Sequence, residues 1–285
     1  MRVLRVPLVI LCAIVLLAVP CLAQDEQPQV SGYDSQHTGV LQEAFQLPAV
    51  LSWSNAVDEK TPGQPIGSVA VGKDMVYAPV GNSLFGLDRQ TGAQVWKLGL
   101  GAKVYGTPLV LGDKVLVGTD NKQLVCASAD KGQRLWALPA AGNVRTAMLV
   151  VEGWVYFGCD DGRLYAVDPE TQTIKWYFEA GGEVRGAPVY YRETIYLAST
   201  NGHIYALNYR DGRQLWNATV NSKLLFGSPV IERQKVLIPT GDRLVALNAR
   251  DGTLAWTFSA FGLITSSPAV ADRKVFLGCT DGSVY

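Results

Sequence analysis

Six tryptophans set the frame of this chain. Trp96, Trp136, Trp176, Trp216 and Trp256 follow one another at intervals of 40 residues, and Trp53 precedes the first by 43. A rare residue at a fixed period marks a repeat architecture, in which each unit buries its apolar face only by stacking on its neighbours. The stretch from Tyr165 to Trp176, Tyr-Ala-Val-Asp-Pro-Glu-Thr-Gln-Thr-Ile-Lys-Trp, recurs with variation in every period. No segment carries the 3.6-residue apolar spacing of a helical solenoid.

Each period reads as four short strands. In the third repeat they are predicted at residues 144–151, 154–158, 163–168 and 173–178, separated by turn signals at Glu152-Gly153, Asp160-Asp161-Gly162 and residues 169–172. Tight hairpins need positive φ, which Asp-Gly and Asn-Gly supply. They recur at Asp161-Gly162, Asn201-Gly202 and Asp281-Gly282, with Asn82 and Lys122 in the glycine slot of the first two repeats. A second turn carries Gly92, Gly132, Gly212 and Gly252, and Gln172 stands there in the third repeat.

Four antiparallel strands repeated every 40 residues make blades of a β-propeller. The expected fold is all-β, a propeller of four-stranded antiparallel blades over residues 49–285. It counts five complete blades, a partial sixth, and a spare outer strand at residues 49–53. Each earlier repeat runs on to a Trp beyond the point matching Tyr285. The expectation is therefore a chain truncated from a seven- or eight-bladed ring.

Residues 1–23 lie outside that domain. Arg2 and Arg5 precede an apolar run at residues 8–19, and Cys21-Leu22-Ala23 offers small residues at a cleavage site. The run is shorter than the roughly 20 residues a spanning helix needs. This predicts a signal peptide cleaved after Ala23, and a secreted or periplasmic protein. Acylation at Cys21 is disfavoured by Pro20 before it. Residues 24–48 read as an extended lead-in.

Basic and acidic residues balance at 25 each, which argues against nucleic acid as a partner. Beyond the signal, three cysteines remain: Cys126, Cys159 and Cys279. Cys126 takes the slot of Ala166, Ala206 and Ala246, so it reads as a small buried apolar residue. The two histidines, His37 and His203, give no metal set.

The repeats resemble the tryptophan-docking repeats of pyrroloquinoline-quinone (PQQ) proteins. The motif Ala-x-Asp-x-x-Thr-Gly-x-x-x-Trp reads here as Gly86-Leu-Asp88-Arg-Gln-Thr91-Gly92-Ala-Gln-Val-Trp96, with later copies ending at Trp176, Trp216 and Trp256. Ser128, Gln172, Asn208 and Asn248 depart from it. The resemblance implies that Trp53, Trp96, Trp136, Trp176, Trp216 and Trp256 pack between neighbouring blades. It also implies one of two functions. The preferred one is a non-catalytic extracytoplasmic scaffold similar to the BamB family of outer-membrane assembly components. Such a scaffold would be a monomer that binds a protein partner at its rim or channel, reaches the outer membrane through partners, and needs no cofactor. The alternative is a fragment of a periplasmic alcohol or sugar dehydrogenase using PQQ with calcium. Such enzymes carry calcium ligands and often an adjacent cysteine pair. This chain has no such pair, and matched positions assign no catalytic, cofactor or metal residue.

Function is better sought where the repeats differ. Nine residues after the docking tryptophans stand Tyr105, Arg145, Arg185, Leu225 and Thr265. That slot opens the first, innermost strand. Tyr105, Arg145 and Arg185 would be neighbours on adjacent blades, forming a cationic rim for a carboxylate, phosphate or acidic peptide. The competing reading pairs the arginines with local acids such as Glu183.

Overall fold

A computed structural model describes residues 52–54, 67–220 and 227–285. The predicted signal peptide with Cys21, the lead-in with His37, residues 49–51 and Leu225 lie outside the described residues.

The described chain is a β-propeller of four-stranded meanders. Blade 3 is built from Leu149–Val151, Trp154–Gly158, Arg163–Asp168 and Thr173–Glu179. Blades 1, 2, 4 and 5 repeat the plan within residues 70–99, 109–139, 189–219 and 230–259, and in every sheet the spatial order is the chain order. The first strands of blades 1 and 2, 3 and 4, 4 and 5, and 5 and 6 approach one another, so they form the inner wall. Strands two and three are buried on both faces and read as continuous apolar runs, such as Val155-Tyr-Phe-Gly158 and Leu164-Tyr-Ala-Val167. The fourth strand alternates between half-buried and exposed residues, as an outer edge should. Of blade 6, Ala269–Ala271 and Lys274–Phe276 pair, and isolated bridges join Ile264 to Cys279 and Gly278 to Val284.

The period is set at the blade joints. In each complete blade the third and fourth strands slip register by one residue just after the small-residue slot, at Gly86, Cys126, Ala166, Ala206 and Ala246. The bulge re-aims the tryptophan opposite that slot. A small residue is required because the indole lies over it: a Cβ on Gly86 would come within 2.2 Å of the Trp96 ring. Cys126 fills this slot as a buried apolar group, and burial pushes its thiol up to about 12.

Three of these indoles hydrogen-bond to the next blade. Trp96 donates to the Ala129 carbonyl at 3.0 Å, Trp176 to Tyr209 at 3.2 Å and Trp216 to Ala249 at 2.9 Å. The ring faces the glycine of that blade's last turn. A Cβ at Gly132, Gly212 or Gly252 would lie 2.3, 2.5 or 2.6 Å from it. Those glycines also sit at positive φ, so two independent constraints favour glycine. Trp53 repeats the arrangement, donating to Arg89 at 2.9 Å and facing Gly92 at 2.3 Å. It thus takes the docking position ahead of blade 1, as the outer strand of a preceding blade would. Tyr156 and Tyr196 add hydroxyl bonds of 2.9 and 3.0 Å to the same acceptor carbonyls, Tyr209 and Ala249. Sequence inspection singled out the tryptophans and missed these tyrosines.

Gln172 holds the glycine conformation without being glycine, at φ 59°. Left-handed backbone costs an L-residue about 1–2 kcal/mol, partly offset by glycine's greater unfolded entropy. Gln172→Gly is therefore expected to raise stability by about 0.5–1 kcal/mol, read as a higher urea midpoint with unchanged slope.

Three expectations need correction. The first strand of blade 3 covers Leu149–Val151, not 144–151. The preceding residues instead link neighbouring blades: Val144 N–H bonds the Thr119 carbonyl of blade 2, and Asp160 N–H bonds the Asn143 carbonyl. In blade 1 the tight-turn conformation falls on Gly81, at φ 57°, and not on Asn82, because that hairpin has one residue fewer between its strands. Arg145 and Arg185 stand in these links, before the inner strand they were expected to open.

Candidate functional site

The links that join one blade's last strand to the next blade's first are stitched on both sides. Val184 N–H bonds the Cys159 carbonyl of blade 3 at 3.1 Å, and Thr200 N–H of blade 4 bonds the Glu183 carbonyl at 2.9 Å. Val144 and Val184 are wholly buried, with side chains seated where Gly118 and Gly158 leave no room for a Cβ. The next residue along each link is an arginine, and it turns outward to meet the end of a second strand.

There the two arginines enter a line of alternating charge. Arg145 forms a fork on Asp120, Nε–Oδ1 2.7 Å and Nη2–Oδ2 2.9 Å, and reaches Asp160 through Nη1 at 3.1 Å. Arg185 Nε lies 3.3 Å from Asp160 and 2.9 Å from Glu183. The order is Asp120, Arg145, Asp160, Arg185, Glu183, running across two blade joints. Side-chain exposure falls to 12% at Asp160, the shared centre, against 32–33% at the arginines. The hydrogen bond to Asp120 outweighs desolvation and raises the Arg145 pKa above its already high ordinary value. Tyr105 is 42% exposed, and the Arg145 guanidinium lies 5.3 Å from its ring centre.

Tyr105, Arg145 and Arg185 are therefore brought together as the spacing predicted, but the rim they form is not cationic. Three carboxylates meet two guanidiniums. Asp120 and Asp160 were missed by sequence reasoning, although each stands 25 residues before its arginine, in the same 40-residue register. Thr200 holds the aspartate slot in blade 4, Gly241 follows the second strand of blade 5 where Asp120 follows that of blade 2, and Thr265 holds the arginine slot of blade 6, so the ladder belongs to blades 2–4. Beside it opens a cleft of about 400 Å³ lined by Asp160, Asp161, Arg163, Glu179 and Glu183 among others. Most of its charge is engaged: Arg163 pairs with Glu179 at 2.8 Å, and Asp161 accepts from the Tyr165 hydroxyl at 2.5 Å.

These residues do not fit a quinone–calcium site. The ladder's carboxylate oxygens are held by arginines, which a calcium ion would have to displace. Among the described residues no three His, Cys, Asp or Glu side chains converge as metal ligands. Cys159 is buried, with its thiol pushed up to about 12 by burial, and has no cysteine neighbour.

Comparison with known proteins places the fold. No curated protein sequence matches the chain. The solved BamB of Moraxella catarrhalis superposes with a TM-score of 0.66 at 20% identity, over 76% of this chain and 70% of that one. The computationally designed Ika8 protein gives 0.68 at 17% identity, over 77% and 69%. The quinohemoprotein alcohol dehydrogenase ADHIIG of Pseudomonas putida HK5 gives 0.53 at 15% identity, over 66% and 40%. At these identities the likeness is one of fold. The family model described as outer membrane protein assembly factor BamB matches residues 44–146, 81–239 and 224–285, which together span the whole array of repeats. With its tryptophans docked blade on blade in that register, the chain belongs to the BamB-like family of PQQ-repeat β-propellers.

Proposed function

We propose that this chain is a non-catalytic extracytoplasmic scaffold that holds a protein partner on the ladder-bearing face during outer-membrane protein assembly. The observation that carries the reading is the ladder with Tyr105 at its end. It is a rigid, partly buried row of alternating charge beside an exposed aromatic ring. Tyrosine and arginine on a rigid frame are the residue types that anchor protein interfaces. Alternating charge confers specificity, because a partner must match both signs in order. Family membership supports the assembly context. No bound cofactor is part of this reading.

A photo-crosslinking residue at position 105 in the full chain, expressed in its native envelope, is expected to capture an outer-membrane assembly component. The same residue at Val95, exposed on an outer strand, is not. Tyr105→Ala is expected to weaken recovery of that partner about tenfold or more, as for an interface anchor. Equal capture at both positions would sink the proposal. So would saturable binding of added PQQ and calcium accompanied by alcohol or sugar oxidation.

A further inference from the structure

The opposite face of the propeller carries the turns between strands one and two and between strands three and four. There each blade's first turn meets the next blade's last turn, and opposite charges bridge two of the joints. Lys114 of blade 2 reaches Glu170 of blade 3 at 2.7 Å, and Glu152 of blade 3 reaches Arg210 of blade 4 at 3.8 Å. Forty residues on, the slots of Glu152 and Arg210 are filled by Arg192 and Arg250. The joint between blades 4 and 5 thus sets two cations where the previous joint holds an ion pair.

Neither cation has a close ion-pair partner. Among the described residues, Arg192 and Arg250 have no carboxylate at ion-pair distance. Arg192 rests over the Tyr191 ring at 5.1 Å, which orients the guanidinium without cancelling its charge. Asp251 is adjacent in sequence to Arg250; its Oδ1 accepts from Thr253 N–H at 3.0 Å and Oγ1 at 2.6 Å, and these bonds, with a smaller contribution from the Arg250 charge, lower its pKa.

The backbone of the first turn is shared by neighbouring blades. Blade 2 makes the first turn with Gly112 at φ 56°, and blade 3 with Glu152 at 48° and Gly153 at 81°. Blade 4 makes it with Arg192 at 48° and Glu193 at 63°, and blade 5 with Arg233 at 46° and Gln234 at 65°. Each non-glycine residue held there costs about 1–2 kcal/mol. Asp272 repeats it at 48° in blade 6, so this conformation belongs to the turn itself and fixes where the Arg192 side chain leaves the backbone.

We propose that the joint between blades 4 and 5 is a docking point for an acidic side chain of a protein partner, whose carboxylate inserts between Arg192 and Arg250. The inserted group completes the charge pattern that Glu152 and Arg210 complete internally one joint earlier. A protein carboxylate is favoured over an anionic membrane because this face is mixed in sign. Glu193, Asp211, Glu232 and Asp251 are interleaved with Arg192, Arg210, Arg233 and Arg250. A flat anionic surface gains little from that balance, whereas one carboxylate at the joint meets both unpaired guanidiniums. This site lies at the other end of the strands from the ladder and does not depend on the ladder's role.

The test uses the full chain with hexaglutamate as probe, hexaglutamine as the neutral control, and phosphatidylglycerol vesicles. Arg192→Glu restores the Glu–Arg pair of the preceding joint, so it is expected to fold with an unchanged or raised urea midpoint. It and Arg250→Glu should each weaken hexaglutamate binding by about tenfold or more, the scale of a lost charge-assisted pair. Arg213→Glu makes the same charge change on the same face away from the joint, and should change binding by less than about threefold. Equal weakening by all three variants, or no hexaglutamate binding by the native chain, overturns the proposal. So does vesicle binding that Arg192→Glu abolishes while peptide binding persists.

Discussion

Trp216→Ala is expected to lower stability by about 3–5 kcal/mol, the range for removing a buried aromatic side chain and leaving a cavity. The indole is 9% exposed, donates to the Ala249 carbonyl at 2.9 Å and packs with Tyr196 at 5.7 Å between ring centres. Its removal also leaves the Ala249 carbonyl with the Tyr196 hydroxyl as its remaining side-chain donor. Trp256→Ala is the matched control. That indole is 38% exposed, and the same substitution should cost about 1–2 kcal/mol because less apolar area leaves water on folding. Gly252→Ala attacks the same joint from the other side. It places a Cβ 2.6 Å from the Trp216 ring at φ 73° and should cost about 2–4 kcal/mol. In the double variant the clash disappears with the ring, so the two losses should sum to more than the combined effect by about 1–2 kcal/mol. Urea denaturation followed by circular dichroism measures all four proteins. Additive losses would mean that ring and glycine do not meet.

Asp160→Ala is expected to cost about 2–3 kcal/mol, less than a fully buried pair because the arginines keep about a third of their exposure. Asp160 is shared by both arginines, at 3.1 Å from Arg145 and 3.3 Å from Arg185. Arg145 keeps its fork on Asp120, so the loss should centre on the joint between blades 3 and 4. Glu183→Ala at the open end of the ladder should cost no more than about 1 kcal/mol, since that carboxylate is 41% exposed and screened by solvent. Hydrogen exchange resolves the location. Faster exchange is expected at the Val184 and Thr200 amides, which stitch the link to blades 3 and 4. Equal costs for the two substitutions would show that the ladder is a set of independent surface pairs. For the partner, Asp160→Ala should weaken binding through loss of the ordered charge pattern, while Tyr105→Ala removes the anchor with little effect on stability.

The same comparison separates what a one-dimensional reading could reach. Blade count, strand order and the third-strand bounds at Arg163–Asp168 were legible because a meander pairs each strand with its nearest neighbour in sequence. The first strand was read too long at residues 144–148. Those residues look apolar for a strand, yet their hydrogen bonds go to the hairpins on either side. The small-residue slot was visible in Gly86, Cys126 and Ala166. Its cause, the overlying indole, was not.

Amino-acid sequence alone determined the repeat, the all-β propeller and the identity of the residues at the blade joints, including Tyr105, Arg145 and Arg185 as neighbours. Tertiary structure decided their charge state as a group. Asp120 and Asp160 approach the arginines across joints, from 25 residues away, and turn an expected cationic rim into a balanced ladder. At the other face, Lys114 and Glu170 pair across a joint in the same way. The physical reason is one of range. Strand pairing in a meander is local and repeats with the sequence, whereas charge is neutralised between blades, where the slots of two different repeats must be read together.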